Sequence, residues 1–436
     1  MMSTPDLGPT ERPSILTFNK STLIIWVAIS LIVSETLAGA LRYYFDQVGI
    51  SPLLYLPKIA CLIVFAAQLL TYKATRVLWV GLLLLFVSCA LAMLHGASFT
   101  NVAFSLFGFS PLLFGAVCSE HILHRKRLLG WVIGMCLILS LIGLLLDKYI
   151  TVPWKGYSYL VGNTELVGNT AWADDEFDRL AGFTRVSNAL SIIIAMFSLY
   201  LAMFTRSRIL FCIIAAVGFY AIVLTTSKAP AAAFALTLAV MMLSRLRWTS
   251  AALFVGLVAI GFLLPIVGVA FDFDPNNITS GDRSLMSLYD RLINTWPHVT
   301  QYLYQQGWSL TGAGLGMFGS SQVLFPVPGA QILTGSDSSA MYLWATFGFV
   351  GIALYALQIP MFFMLRDQTS RMDNALLAIS ICICLTSWTT DMFEITLSNL
   401  FMGLAIGRVL NRSTATSTAT TTAHGLGELS GLPELR

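Results

Sequence analysis

The sequence predicts an all-α, polytopic integral membrane protein with about 12 transmembrane helices. Three observations predict it. Of the 436 residues, 56% are hydrophobic and only 11% charged, whereas a soluble chain carries about a quarter charged residues. Mean hydropathy is +0.77. Apolar stretches of about 20 residues, the length that crosses a bilayer, recur along the chain and are punctuated by short basic segments. This composition excludes a cytosolic enzyme, a secreted disulfide scaffold and a disordered chain. A net charge of +3 is too small for a nucleic-acid binder.

The spans are expected at 22–42, 52–72, 76–95, 99–119, 128–148, 186–205, 208–226, 229–244, 249–270, 339–365, 374–390 and 394–410. The first contains Ala38-Gly39-Ala40, which imitates a signal-peptidase site. Its apolar run is longer than the 7–15 residues typical of a signal's hydrophobic region, so it reads as an uncleaved helix. With the N-terminus inside, nine basic residues stay outside: Arg42, Lys58, Lys148, Lys155, Arg179, Arg185, Lys228, Arg283 and Arg291. The other 16 of the 25 fall in the cytoplasmic segments, as the positive-inside rule requires. Residues 1–21 are then a cytoplasmic N-terminus, 22–410 the membrane domain and 411–436 a cytoplasmic tail. The polar, low-complexity composition of that tail predicts disorder.

Two long loops, 149–184 and 271–338, are expected on the periplasmic side, both rich in aromatic and charged residues. In the second, Leu285, Leu288, Tyr289, Leu292, Ile293 and Trp296 recur at helical spacing. They predict an amphipathic helix capped by Asp282 or Ser284 and broken by Pro297. Arg291 lies on its polar stripe and Arg283 near its start. Gly312-Ala-Gly314-Leu-Gly316-Met-Phe318 lacks the strand and the Lys-Ser/Thr of a nucleotide loop; a backbone turn close to a ligand stays open. Asp337 reads either as a helix cap or as a general base facing a cavity. Arg185 and Lys228 stand at span ends, where an unpaired cation usually marks a substrate pathway and phosphate is a natural partner; snorkelling of each side chain to the interface is the alternative. Glu35 reads as a lone carboxylate in the first span. The seven cysteines lie in or beside apolar runs and read as small buried hydrophobes. No cysteine or histidine pair has metal-ligand spacing, so neither a metal nor a cofactor is expected.

Four segments in order resemble the superfamily of O-antigen ligases and Wzy-type polysaccharide polymerases. Arg179-Leu-Ala-Gly182-Phe-Thr-Arg185-Val-Ser-Asn188-Ala-Leu is similar to its R-x-x-G-x-F…N-x-L-A segment, and Thr226-Ser227-Lys228-Ala to S-R-[GA]. Arg291…Trp296 followed by Gly312-x-Gly314-x-Gly316-x-Phe318 resembles R…W…G-x-G-x-F. Asp337 with Gly348-x-x-Gly351 resembles H-N-x-Y-L…G-x-x-G. Lys228 stands where the family has arginine, and Asp337 where its ligases carry histidine.

The resemblance implies a GT-C-like glycosyltransferase of the bacterial inner membrane. It would join undecaprenyl-pyrophosphate-linked oligosaccharide repeat units at the periplasmic face, without metal or cofactor. It also implies roles: Asp337 accepting the acceptor's proton, and Arg291, Arg185, Arg179, Arg283 and Lys228 neutralising the leaving pyrophosphate. Membrane lipids, a flippase and chain-length or export proteins would be its partners. Transfer to lipid A-core by a ligase, and lipid or sugar transport, remain open as alternatives. Transporters usually carry inverted repeats and broken midplane helices, which the sequence does not display.

Overall fold

The computed structural model describes residues 19–70, 76–161, 164–169, 173–174, 177–244, 247–274, 286–367 and 370–429. Its backbone is 78% helical with almost no strand. Short turns punctuate the helices, and polar side chains begin several of them. Asn19 caps Lys20–Thr36, Ser207 caps Arg208–Leu224 and Ser370 caps Arg371–Thr386. Ser98 and Asn101 form a reciprocal capping box at the head of Phe99–His124.

Seven helices among the described residues are long and apolar enough to cross a membrane, or up to eight if one bent pair counts as a span. Arg208–Leu224 and Lys228–Leu243 are apolar but shorter. The outward faces carry large apolar side chains, with Phe86 75%, Trp131 74% and Ile209 75% exposed. Water would not favour such a surface, whereas lipid does; the chain is built as a multi-pass membrane protein. Cys212 belongs to this outward set, unlike Cys61, Cys118, Cys136, Cys382 and Cys384, which are buried.

The centre of the bundle is the pair Phe99–His124 and Thr396–Leu429. Gly115, Gly403 and Gly407 let the two backbones meet. A Cβ on Gly115 would lie 2.7 Å from the Leu400 carbonyl oxygen, and one on Gly403 would overlap the Leu112 carbonyl. Small residues at a helix contact are how membrane helices approach closely. The second helix also continues to Leu429, so the segment expected to be disordered is helical that far. It holds no proline before Pro433 to stop the helix; residues 430–436 lie outside the described residues.

Two helices expected to be continuous are broken. Lys20–Thr36 and Ala38–Gln47 meet at 86°. The amides of Gly39 and Ala40 donate to the Phe183 carbonyl at 2.8 and 3.2 Å, so the segment before Arg185 holds the bend. The single span expected at 339–365 is divided into Ser339–Phe347, Phe349–Ala356 and Gln358–Arg366. Gly348 makes the first break at φ 61°. Loop 149–184 adds two small antiparallel hairpins, Ser158–Val161 with Thr164–Val167 and Ala173–Asp174 with Phe177–Asp178, to an architecture expected to be purely helical.

Irregular backbone at membrane depth is tolerated only where protein satisfies it. Here the glycine run does so. The Ala313 amide donates to the Ala345 carbonyl at 2.7 Å, Gly314 to Thr346 at 3.1 Å, and Phe349 to Leu310 at 3.1 Å. Gly312, Gly314 and Gly316 all have positive φ, and a Cβ on Gly314 would overlap the Ala92 amide. The close approach that these glycines serve is therefore to neighbouring helix backbone, and the run is buried.

Candidate functional site

The site is built on the 286–338 loop. Helical backbone runs from Met286 to Gln305 and is not broken at Pro297. A π-turn over Arg291–Thr295 precedes the proline, and Pro297 occupies the first turn of Trp296–Gln305. Its missing N–H costs nothing there. Leu292, Trp296, Val299 and Leu303 form the buried stripe, which turns Arg291 towards Asp337. The proposed caps Asp282 and Ser284, and Arg283, lie outside the described residues.

Arg291 and Asp337 meet: Nε donates to Oδ2 at 3.0 Å. Arg291 Nη1 donates to the Ser287 carbonyl and hydroxyl at 3.1 and 2.8 Å. Nη2 carries no partner among the described residues, and neither does Asp337 Oδ1. The Asp337 side chain is 56% exposed. Its backbone sits at φ 51°, a left-handed conformation that a non-glycine residue rarely adopts and that clusters at functional sites.

Asp337 is not a helix cap. Ser338 holds the N-cap position of Ser339–Phe347 and makes no side-chain cap bond. The donors there are taken by Asp391, from the turn between the last two long helices. Its Oδ2 accepts from the amides of Ser336 and Asp337 at 3.1 and 3.2 Å. Its Oδ1 accepts from the Ser338 amide at 3.1 Å and the Ser336 hydroxyl at 3.0 Å. Trp296 Nε1 donates to the Ser336 carbonyl at 2.8 Å. Asp391 and Trp296 together fix the backbone that presents Asp337. Burial pushes the Asp391 carboxyl up to about 7, with the Ser336 donors pulling the other way and the neighbouring acids Glu394 and Asp337 adding to the rise.

A second acidic group adjoins this one. Glu394 accepts from the Ser320 amide at 3.2 Å and also from its hydroxyl, beside Gly319, where a Cβ would overlap the carboxylate. Glu394 is open to solvent yet recessed within protein. The loss of bulk water around it raises its carboxyl, against the Ser320 donors and the charge of Lys58. Lys58 in turn pairs with Glu35 at 3.1 Å and lies 5.7 Å from the Phe107 ring centre. Glu35 is therefore not a lone carboxylate. His298 is exposed on Trp296–Gln305.

The remaining cations are dispersed. Arg185 is exposed and donates to the Val167 carbonyl at 3.2 Å, so its charge is not left bare at a span end. Asp147 shapes its approach by accepting from the Ala181 and Gly182 amides at 2.8 and 2.9 Å while pairing with Lys155 at 3.0 Å. Arg179 and Lys228 are exposed, and neither is without an interaction. Sequence reading did not single out Lys58, Asp147 or Arg42. An ionisable residue inside or beside an apolar run was the available signal. Compared with protein-family models and with curated proteins, the sequence matches none, so a functional reading has the geometry of Arg291, Asp337 and Asp391 to stand on.

Proposed function

We propose that the chain is a membrane-embedded glycosyltransferase that joins lipid-pyrophosphate-linked oligosaccharide units into a polymer. In this reading the bundle is GT-C-like and crosses a bacterial inner membrane twelve times, with both termini in the cytoplasm and the site facing the periplasm. One observation carries it: the Arg291–Asp337 pair leaves one guanidinium nitrogen and one carboxylate oxygen free at the same place. The acceptor hydroxyl oxygen bonds to the donor's anomeric carbon as the bond from that carbon to pyrophosphate breaks. The hydroxyl proton passes to Asp337 Oδ1. Arg291 Nη2 receives the departing pyrophosphate, which is charged without further protonation. Arg179, Arg185 and Lys228 stand apart from this pair and would add positive charge only at longer range, the part this reading also gives Arg283; undecaprenyl pyrophosphate is the carrier it names. A flippase and chain-length or export proteins would act before and after it.

Polymerisation of a purified lipid-linked repeat unit by the purified protein tests the reading directly. The glycan of a deletion strain separates it from its rivals. A lost polymerase leaves single repeat units, and a lost ligase leaves full-length polymer on its carrier lipid. Transport is the second reading that an observation favours, because broken helices at Leu37 and Gly348 are a transporter's habit. A lost transporter leaves no repeat unit exposed on the far side. Reporter fusions after Lys126, Arg206, Arg245 and Arg371, expected in the cytoplasm, and near Asp174 and Gly312, expected in the periplasm, test the twelve crossings.

A further inference from the structure

The end of the bundle away from Arg291 and Asp337 carries a groove of about 440 Å³, within the range of about 300–1,000 Å³ that small-molecule sites occupy. Phe99–His124 sets its place. At one end of that helix Asn101 donates to the Ser321 and Phe325 carbonyls of the loop that carries the site. The groove lies at the other end, where Arg125 leads into Lys126–Tyr149. One wall is the first half of Lys126–Tyr149, and the other is the last turn of Ser187–Phe204. Gly130 and Gly134, one turn apart, leave the space between them open. A Cβ on Gly134 would meet nothing within 4 Å, and one on Gly130 would stand 3.8 Å from the Tyr200 ring.

Two independent features of this groove point to a ligand. The first is charge. Lys126 and Arg127 line its outer end, both exposed, and neither forms an ion pair among the described residues. Glu120, the nearest acid along the chain, acts on His121. Arg371 adds a third cation by donating to the Phe204 carbonyl at 2.8 Å. Arg125 stands at the N-cap of Lys126–Tyr149 and supplies no side-chain acceptor, so the first amides of the helix face the same end, where a phosphate suits them. The second feature is Tyr200. Its side chain is buried, its ring stacks on that of Phe204 at 4.8 Å, and its hydroxyl has no hydrogen-bond partner among the described residues. An orphaned hydroxyl at membrane depth is unfavourable, because no water is there to satisfy it. Tyr200 lies four residues before the end of its helix, and Gly130, beside it, four residues after Lys126. Each is one turn, roughly 6 Å, inside the charged end.

Cations outermost, then one hydroxyl donor, then an apolar slot: a glycerophospholipid has the matching order of phosphate, ester carbonyl and acyl chain. A free phosphate would leave the slot and the hydroxyl unused, and a zwitterionic lipid would bring its own cation against Lys126 and Arg127. We propose that the groove binds one anionic phospholipid. Its phosphate sits on Lys126, Arg127 and the first amides of Lys126–Tyr149, an ester carbonyl accepts from the Tyr200 hydroxyl, and an acyl chain lies over Gly130 and Gly134. Basic pockets between membrane helices hold anionic headgroups in this way. The site is independent of the polymerase reading and uses none of its residues.

The test measures equilibrium binding of phosphatidylglycerol to the full-length protein in neutral detergent micelles, against phosphatidylcholine with the same chains and with inorganic phosphate as competitor. Phosphatidylglycerol is expected to bind at least tenfold more tightly than phosphatidylcholine, and Lys126→Gln combined with Arg127→Gln to remove that preference. Tyr200→Phe deletes one oxygen and Gly134→Leu adds a side chain in open space, so both should fold, which melting temperature without lipid checks. Each is expected to weaken phosphatidylglycerol binding at least threefold. Equal affinity for the two lipids makes the groove an ordinary lipid contact and overturns the proposal, as does a preference that survives loss of both cations. Displacement by inorganic phosphate at matching concentration makes it a site for free anion and also overturns it. Binding unchanged by Gly134→Leu overturns the place of the acyl chain, and binding unchanged by Tyr200→Phe overturns the ester contact.

Discussion

Replacing Asp337 by Asn isolates proton transfer from every other role of that side chain. The two residues are nearly isosteric, and Asn tolerates the left-handed backbone at φ 51° as well as Asp does. Its amide oxygen can still accept from Arg291 Nε. The clamp from Asp391 grips the backbone amide of residue 337, which the substitution leaves alone. What disappears is the basic oxygen. With the Asp337 side chain 56% exposed, the lost ion pair is worth about 0–1 kcal/mol in stability. Loss of a general base lowers the rate by about 10²–10⁴, equal to roughly 2.7–5.4 kcal/mol at about 1.36 kcal/mol per decade. The two expectations differ enough to separate. Turnover of a purified lipid-linked repeat unit and the melting temperature in detergent, measured on one preparation, give both. A variant that melts like wild type and turns over near the wild-type rate removes Asp337 from the chemistry. Glu394, recessed but open to solvent, is then the next carboxylate to examine.

Arg291→Ala is expected to abolish polymer while membrane abundance stays near normal, and Arg291→Lys to restore only part of the activity, since an ammonium lacks the planar fork; quantitative blotting alongside glycan analysis checks both. Asp391→Asn places an NH₂ against amides that need an acceptor, stranding at least one buried donor at about 1–3 kcal/mol, so both melting temperature and activity fall; an unchanged melting curve would show that the clamp is dispensable. The folded Asp391 carboxyl titrates at about 7 against an ordinary 3.8, so between those values the folded protein holds a proton that the unfolded chain has released. This contribution to stability therefore shrinks as pH rises through that window, and melting curves from pH 4 to pH 8 should show a downward component that Asp391→Asn lessens. Gly403→Ala would force a methyl into the Leu112 carbonyl and part the central helices, read as a drop in melting temperature; a neutral outcome would mean that the helices shift apart at no cost.

The helices were legible because each depends on a property read along one stretch of chain. An apolar run of sufficient length must be helical in lipid, and serine or asparagine at its head announces the start. The breaks were not legible. Leu37 is bordered by no proline, and its bend is imposed from Phe183, far along the chain. Gly348 sits in an apolar run that reads as continuous, and its break is stabilised by a glycine loop whose partner cannot be inferred from spacing. Pro297 was misread as a stop because proline is equally at home in a first turn, which the π-turn before it creates.

The site divides in the same way. Arg291 and Asp337 stood out by residue type and by the order of weak motifs, and they meet. Asp391 falls between the spans expected at 374–390 and 394–410, and its hold on residues 336–338 is a tertiary fact about two loops that no local pattern announces. Glu35 looked solitary because Lys58 belongs to Leu56–Leu69, beyond the bent helix Ala38–Gln47, and a pair formed between spans leaves no mark within either.

The Asp391 clamp has a consequence for biogenesis. A membrane protein emerges from the ribosome and enters the bilayer from its N-terminus onward, and Arg291, Trp296 and Asp337 are all in place well before residue 391 has been made. Until then the Ser336–Ser338 amides lack their acceptor, and the left-handed backbone at Asp337 is held only by the Trp296 bond to the Ser336 carbonyl and the Arg291 bond to its side chain. Completion of the clamp is thereby deferred to the last stage of synthesis. A chain ending before residue 391 would keep Arg291 and Asp337 and lack the acceptor that fixes residues 336–338.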